Sequence, residues 1–344
     1  MNDELKLSPR TRNSKLETRS VLTPPPRREP GFGFRPPADG SPPLYRVHLS
    51  SRWLLAGVVG AAGLVAGALK LPRRWLPVAA GAVVAAGAAT LGAAVLGAAQ
   101  LRFEYVEVPI AGLPAAFDGF RIAQLSDLHL GWPFAMRNAR RAVGWVIDHK
   151  PDLVAVTGDF VRHYTDPLAV QTALRGLQAP HGVYAVFGNH DYWDDLETLE
   201  QSIAGLGIDV LRNERRSLVA DGEQISLVGI DCIWESRHDI ALAMSKVPLG
   251  ETAIVLAHEP DVADDVAAAG AQLQLSGHNH GGHIALPWLG PLFLPRHGLR
   301  YVRGLLRVGG MWLYVSRGLG GFPLRIGTPP EVTEITLRTM NDER

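Results

Sequence analysis

From residue 103 onward, short and wholly apolar runs alternate with longer amphipathic ones. Apolar runs of about four to eight residues bounded by turn signals read as buried strands, and patterns repeating every three to four residues read as helices. Strands are predicted at residues 120–126, 153–157, 183–187, 253–257, 273–276, 311–316 and 332–337. Residues 217–219 and 225–230 read as an antiparallel pair turning about Asp221-Gly222. Helices are predicted at residues 136–149 and 167–177, and another begins at the acidic pair Asp194-Asp195. Early alternation of strand and helix, followed by strand-rich pairing, predicts a layered α/β architecture with mixed sheets.

Two apolar, Gly/Ala-rich runs stand apart upstream. One covers residues 54–71 and is interrupted only by Lys70; the other covers 75–99 and carries no charge. A helix needs about 20 apolar residues to cross a bilayer. The second run meets that length and the first lies at its lower edge, and their small residues suit close packing. The expectation is a membrane region at residues 53–100 with two transmembrane helices, hence a multi-pass protein of the cell (inner) membrane with lipid as a partner. Basic residues near spans favour the cytoplasm. Arg35, Arg46 and Arg52 precede the first run, whereas Lys70, Arg73 and Arg74 follow it, so the two sets pull opposite ways and either side stays open. Arg73-Arg74 before the long run also resembles a twin-arginine export signal.

Composition adds three points. Residues 1–52 are rich in Arg, Pro and Ser and poor in aliphatics, which predicts a disordered tail. The formal net charge is zero, so no specific nucleic acid is predicted as a partner. A single cysteine, Cys232, excludes an intrachain disulfide and a cysteine-based zinc site.

The chemistry is concentrated at the ends of the predicted strands. Asp127-Leu128-His129 follows the first, and Gly158-Asp159 the second. Gly188-Asn189-His190-Asp191 follows the third, His258 ends an apolar run, and Gly277-His278-Asn279-His280 follows another. Carboxylate, amide and imidazole donors mixed in this way suit divalent first-row metals. Glycines before Asp159, Asn189 and His278 let the backbone turn tightly there.

In this order, over roughly residues 103–338, these motifs resemble the calcineurin-like metallophosphoesterase superfamily. Residues 120–129, the run Ala257-His258-Glu259-Pro260-Asp261, residues 276–282 and Ser316-Arg317-Gly318-Leu319-Gly320 resemble more narrowly its bacterial, membrane-associated YkuE/YaeI-like branch. The resemblance implies a four-layer αββα sandwich with two mixed β-sheets. It implies two divalent metal ions, with manganese favoured over zinc or iron. Asp127, His129, Asp159 and His280 would hold one, and Asp159, Asn189, His258 and His278 the other. Two dications against two carboxylates and a bridging hydroxide leave about one net positive charge, which selects an anionic phosphate ester. The hydroxide would be the nucleophile.

The same resemblance makes His190 the acid that assists the leaving group. In much of the superfamily a carboxylate three residues after the bridging Asp supports this histidine. Here that position is Arg162, with Asp191 as a substitute candidate, and His283 stands where relatives often carry Gln. Arg317 and Arg325 are candidate phosphate contacts. Residues 286–295 are apolar and directly follow the ligand loop, reading either as a core-packed hairpin or as a wall toward lipid. The implied activity is a membrane-anchored phosphoesterase acting on a phosphodiester, pyrophosphate or phosphomonoester of an envelope or lipid-linked substrate. The alternatives are a UDP-2,3-diacylglucosamine pyrophosphatase-like enzyme of lipid A synthesis and a non-catalytic, membrane-tethered binding protein.

Overall fold

The computed structural model describes residues 45–47, 67, 72–162, 167–193 and 195–340. The strands run in chain order: β1 (Tyr45–Val47), β2 (Arg102–Ile110), β3 (Arg121–Leu125), β4 (Leu153–Thr157), β5 (Val183–Val186), β6 (Ile208–Val210), β7 (Glu214–Ala220) and β8 (Glu223–Gly229). They continue as β9 (Ala253–Leu256), β10 (Leu273–Ser276), β11 (Ala285–Leu286), β12 (Gly290–Pro291), β13 (Phe293–Pro295), β14 (Gly304–Val308), β15 (Met311–Val315) and β16 (Glu331–Thr339).

Twelve of them form two six-stranded sheets, in the orders β2-β16-β3-β4-β5-β6 and β14-β15-β10-β9-β8-β7, while β1 pairs with β13 and β11 with β12. Both six-stranded sheets are mixed. In the first, β3 to β6 run parallel while β16 is antiparallel to β3. In the second, β8, β9, β10 and β15 run parallel and the edge strands β14 and β7 are antiparallel. Asp221 and Gly222 both carry positive φ at the tip of the β7–β8 hairpin, as its two-residue turn requires.

The inner faces meet in an apolar core that includes Ile122, Ala155 and Val186 from the first sheet and Leu227, Ile254 and Leu275 from the second. Helices Pro133–His149, Pro167–Leu174 and Leu196–Ala204 cover the outer face of the first sheet through Ala139, Val146, Leu174 and Ile203. The short helix Ala263–Ala268 lies against the outer face of the second through Ala263 and Val266. Strands covered on both faces carry continuous apolar runs, which is why β3, β4, β9 and β10 were visible as such.

The helix Leu76–Ala98 is apolar over its whole length, and its stretch Pro77–Ala98 has a mean hydropathy of 1.9 and is almost entirely exposed. It is the one helix among the described residues long and apolar enough to cross a membrane, a test that a signal sequence also passes. The run at 54–71 lies outside the described residues apart from Gly67, so of the expected pair one apolar helix is found among the described residues, and it does not by itself support a multi-pass arrangement. Its last turn is held by the folded domain. Ala94 and Ala98 are buried, Ala94 O accepts from Arg325 N at 2.9 Å, and Ala98 O accepts from Asn138 Nδ2 at 3.1 Å.

Candidate metal centre

Parallel strands present their C-terminal ends on one side, where open α/β sheets place their ligands. Asp127 follows β3, Asp159 follows β4, Asn189 follows β5, His258 follows β9 and His278 follows β10, so two sheets deliver these residues to one edge. All seven sequence-predicted ligands are buried. Gly188 and Gly277 allow the convergence: a Cβ on Gly188 would run into Asp159, and one on Gly277 into Ser126 Oγ and the Asp127 carboxylate. Asp127, His129, Asp159, His278 and His280 all hold positive φ. For non-glycine residues that conformation costs on the order of 1–3 kcal/mol each.

Asp159 Oδ2 lies 3.3 Å from both His129 Nε2 and His258 Nε2. On one side of it, His129 Nε2 is 3.1 Å from His280 Nε2, which is 3.4 Å from Asp127 Oδ1. On the other, His258 Nε2 is 3.3 Å from His278 Nδ1. Three overlapping triads result: Asp127–His129–His280, Asp127–Asp159–His258 and His129–Asp159–His190, each with its ligand atoms within 4.8 Å of one another. Asn189 Oδ1 is buried without a hydrogen-bond partner. Facing imidazole nitrogens and an orphaned amide oxygen are unfavourable by themselves, and cations placed between them resolve both. These donors therefore fit divalent ions.

The surrounding contacts set which nitrogen is presented. His258 Nδ1 donates to Thr157 O at 2.7 Å and His278 Nε2 donates to Arg296 O at 2.7 Å, leaving Nε2 and Nδ1 respectively as donors to a metal. His280 differs, because its Nδ1 accepts from Arg325 at 3.0 Å. For Nε2 to hold a cation, the neutral ring must carry its proton on Nδ1, at the expense of that Arg325 contact. Ser126 Oγ donates to Asp127 Oδ2 at 2.6 Å and His278 N donates to Asp127 Oδ1 at 3.0 Å, which holds that carboxylate in place. Sequence reasoning did not single out Ser126; its place directly before Asp127 was the available signal.

Three other residues sit differently from the expectation. Asp191 does not pair with His190. Its carboxylate is buried and accepts from the backbone N–H groups of Gly188, Asp159, Phe160 and Val161 at 2.8–3.2 Å. His190 Nδ1 donates instead to the Arg162 carbonyl at 2.9 Å, while the Arg162 guanidinium stacks over Trp132. A main-chain oxygen thus takes the place of the usual carboxylate. Arg325 is only 2% exposed, and its donors reach the carbonyls of His280, Arg317, Gly320 and Thr328 besides His280 Nδ1. It holds a candidate ligand rather than facing an incoming phosphate. Arg317 pairs with Glu104 and Glu331 at 2.5 Å. His283 stacks on His280 at 4.4 Å.

Burial pushes the Asp127 carboxyl up to about 7. Burial likewise drives His129 and His280 well below the usual imidazole range and His278 down to about 3, so all three offer lone pairs. At His258 burial acts downward, but Asp159 outweighs it and the imidazole is held well above its ordinary range. Asp159 is correspondingly depressed, with His258 overcoming the effect of burial. A cation entering the cluster must expel the protons of His258 and, below about 7, of Asp127. Metal affinity is therefore expected to rise with pH through neutrality. Calorimetric manganese titrations at about pH 6, 7 and 8 check this, and an affinity independent of pH would contradict ligand roles for both residues.

Residues 120–282, which contain every one of these donors, match the calcineurin-like phosphoesterase family. The metallophosphoesterase YkuE of Bacillus subtilis is 37% identical over 237 residues, 67% of this chain and 82% of the relative. The chain belongs to the calcineurin-like phosphoesterase family. The phosphodiesterase YaeI of Escherichia coli is 32% identical over 228 residues, covering 63% of this chain and 82% of YaeI. The metallophosphoesterase YkoQ of B. subtilis is 32% identical over 234 residues, covering 64% and 84%. Membership in this family makes the chain a metal-dependent phosphoric ester hydrolase, with a buried His/Asp cluster for the family's dimetal centre.

Proposed function

We propose that the chain is a membrane-anchored phosphodiester hydrolase acting on a lipid-linked or envelope substrate, with Asp127, His129, Asp159 and His280 holding one metal ion and Asp159, Asn189, His258 and His278 a second. The observation that carries the reading is the place of Asp159, whose Oδ2 is equidistant from His129 and His258. Two bound divalent ions would supply an activated water and neutralise charge on the phosphoryl oxygens. The chain's own residues do the remainder. Ser126 and the His278 amide orient Asp127. The Thr157 and Arg296 carbonyls fix two imidazoles. His190 donates through Nδ1 to the Arg162 carbonyl, so its Nε2 is left to hold or deliver a proton at the leaving oxygen.

Replacing His190 with alanine is expected to lower kcat by roughly 10²–10⁴-fold. Metal content by elemental analysis should stay unchanged, because the proposed ligands are all retained. A combined loss of metal would instead make His190 a ligand.

The test of the activity is hydrolysis by the full chain in detergent micelles with added manganese. Bis-p-nitrophenyl phosphate and p-nitrophenyl phosphate are offered side by side. Diester turnover that disappears on chelation and returns with manganese supports the reading. Preference for the monoester would move the substrate class, and metal uptake with no turnover of either would favour a binding role. The diester is the expected preference because the relative YaeI is a phosphodiesterase.

A further inference from the structure

One face beside the metal centre carries apolar side chains that are left wholly or partly exposed. Trp288 is 98% exposed, Phe322 57%, Phe293 40% and Leu286 38%. Soluble surfaces scatter such residues singly, whereas clustering marks an interaction site. Trp288 also holds φ at 62°, left-handed backbone that a bulky residue adopts only at a cost. It sits between β11 and β12, at the turn of the short hairpin they form. A strained, fully exposed tryptophan contributes nothing to the core, so its position points to something outside the chain.

The same face receives the end of the apolar helix. Arg325 N donates to Ala94 O at 2.9 Å, and Gly97 packs so closely on the Arg325 carbonyl that no larger residue fits without displacement. The next residue, Ile326, is hydrogen-bonded in both directions to the hairpin: Ala285 N donates to its carbonyl at 2.8 Å, and its own N–H donates to His283 O at 3.0 Å. Helix Leu76–Ala98, the 325–326 segment and the hairpin with Trp288 are therefore successive neighbours. The metal centre adjoins them directly. The His283 ring stacks on His280 at 4.4 Å and meets Phe322 edge-on at 6.3 Å.

We infer that this face, Leu286, Trp288, Phe293 and Phe322, lies in the interfacial layer of the bilayer crossed by the apolar helix, and that it sets the metal centre at the depth of lipid headgroups. The occupant is lipid and no second protein. A helix of 23 residues is about 35 Å long, enough to span, and it leaves the domain at this face. Indole and phenyl rings at the membrane–water boundary are where bilayer proteins concentrate them. Arg303, exposed and bonded to the Gly327 carbonyl at 3.0 Å, adds positive charge beside the apolar cluster, suited to anionic headgroups. The substrate class that follows is an amphiphile whose headgroup carries the phosphate ester. This rests on the membrane-anchored phosphoesterase reading.

The test uses the full chain reconstituted into phosphatidylglycerol-containing vesicles, in a Cys232→Ser background. Environment-sensitive labels are placed at Trp288→Cys, at Phe322→Cys and, as a control, at Leu249→Cys, an exposed site preceding β9 at the end opposite His258. Lipids spin-labelled near the headgroup are expected to quench the labels at 288 and 322 several-fold more than the label at 249. Equal quenching at all three overturns the inference. In a second arm, Trp288→Ser combined with Phe322→Ser should lower turnover of a phosphodiester lipid embedded in the vesicles about tenfold and leave soluble bis-p-nitrophenyl phosphate turnover unchanged. Equal loss on both substrates, or loss on neither, counts against it. Absence of any turnover by the unaltered protein would defeat the phosphoesterase reading alone, since the quenching arm needs no catalysis.

Discussion

Asp159→Ala is expected to abolish phosphodiester turnover and to lower bound metal from two ions per chain to at most one. Asp159 Oδ2 stands between His129 and His258, so its removal takes a donor from both proposed ions at once. It also removes one of only two carboxylates in the cluster, leaving the remaining charge of two dications poorly balanced. Losing the second ion forfeits several kcal/mol of transition-state stabilisation, a fall of about 10³-fold or more. Elemental analysis together with kcat on bis-p-nitrophenyl phosphate measures both effects. A variant that keeps two ions and turns over within about tenfold of the parent would remove Asp159 from the shared position. The fold should survive, because alanine fills less space than the carboxylate and the strands leading to it are unaffected.

Asp191→Ala should act through stability. Four backbone N–H groups converge on this buried carboxylate, three from the loop that carries Asp159 and one from Gly188. Alanine leaves all four without partners in a place water does not reach, and each unsatisfied buried donor costs about 1–3 kcal/mol. Partial relaxation reduces the sum, so a loss on the order of 3 kcal/mol or more is the expected result. Denaturant unfolding measures it. Asp191→Asn, which keeps one acceptor oxygen, should lose less. A neutral Asp191→Ala would mean that the two loops reach the same geometry without it. Because the carboxylate ties the Asp159 loop to the Asn189 loop, metal binding should weaken along with stability.

The ligand residues were legible because each follows an apolar run, and such runs become parallel strands whose ends share one edge. The residues that support them were less so. Asp191 sits beside His190 and was a substitute candidate for its supporting carboxylate, but its partners are main-chain amides, three of them about 30 residues away, which leave no trace in side-chain chemistry. The Arg162 carbonyl that replaces the usual carboxylate is equally invisible, since any residue would supply it. Arg325 read as a phosphate contact on residue type alone; its burial depends on how the loop around Thr328 folds over it. Among the strands, β2 was missed because it lies at the edge of its sheet and carries Glu104 and Glu107 between half-buried neighbours, so its pattern is polar. β14 was missed for the same positional reason. Only one of the two apolar runs falls within the described residues, where the helix Leu76–Ala98 bears out its length and composition.

Five of the seven donors occupy left-handed backbone that ordinarily belongs to glycine. Glycine would relieve the conformation at any of them, yet it carries no carboxylate and no imidazole. At these positions the most stable residue and the useful residue are never the same one. Random substitution with selection for thermal tolerance alone would thus drift toward an inert protein, improving the chain by dismantling its centre. Selection for stability in the presence of metal would push the other way, because bound ions stabilise only the chain that has kept its donors.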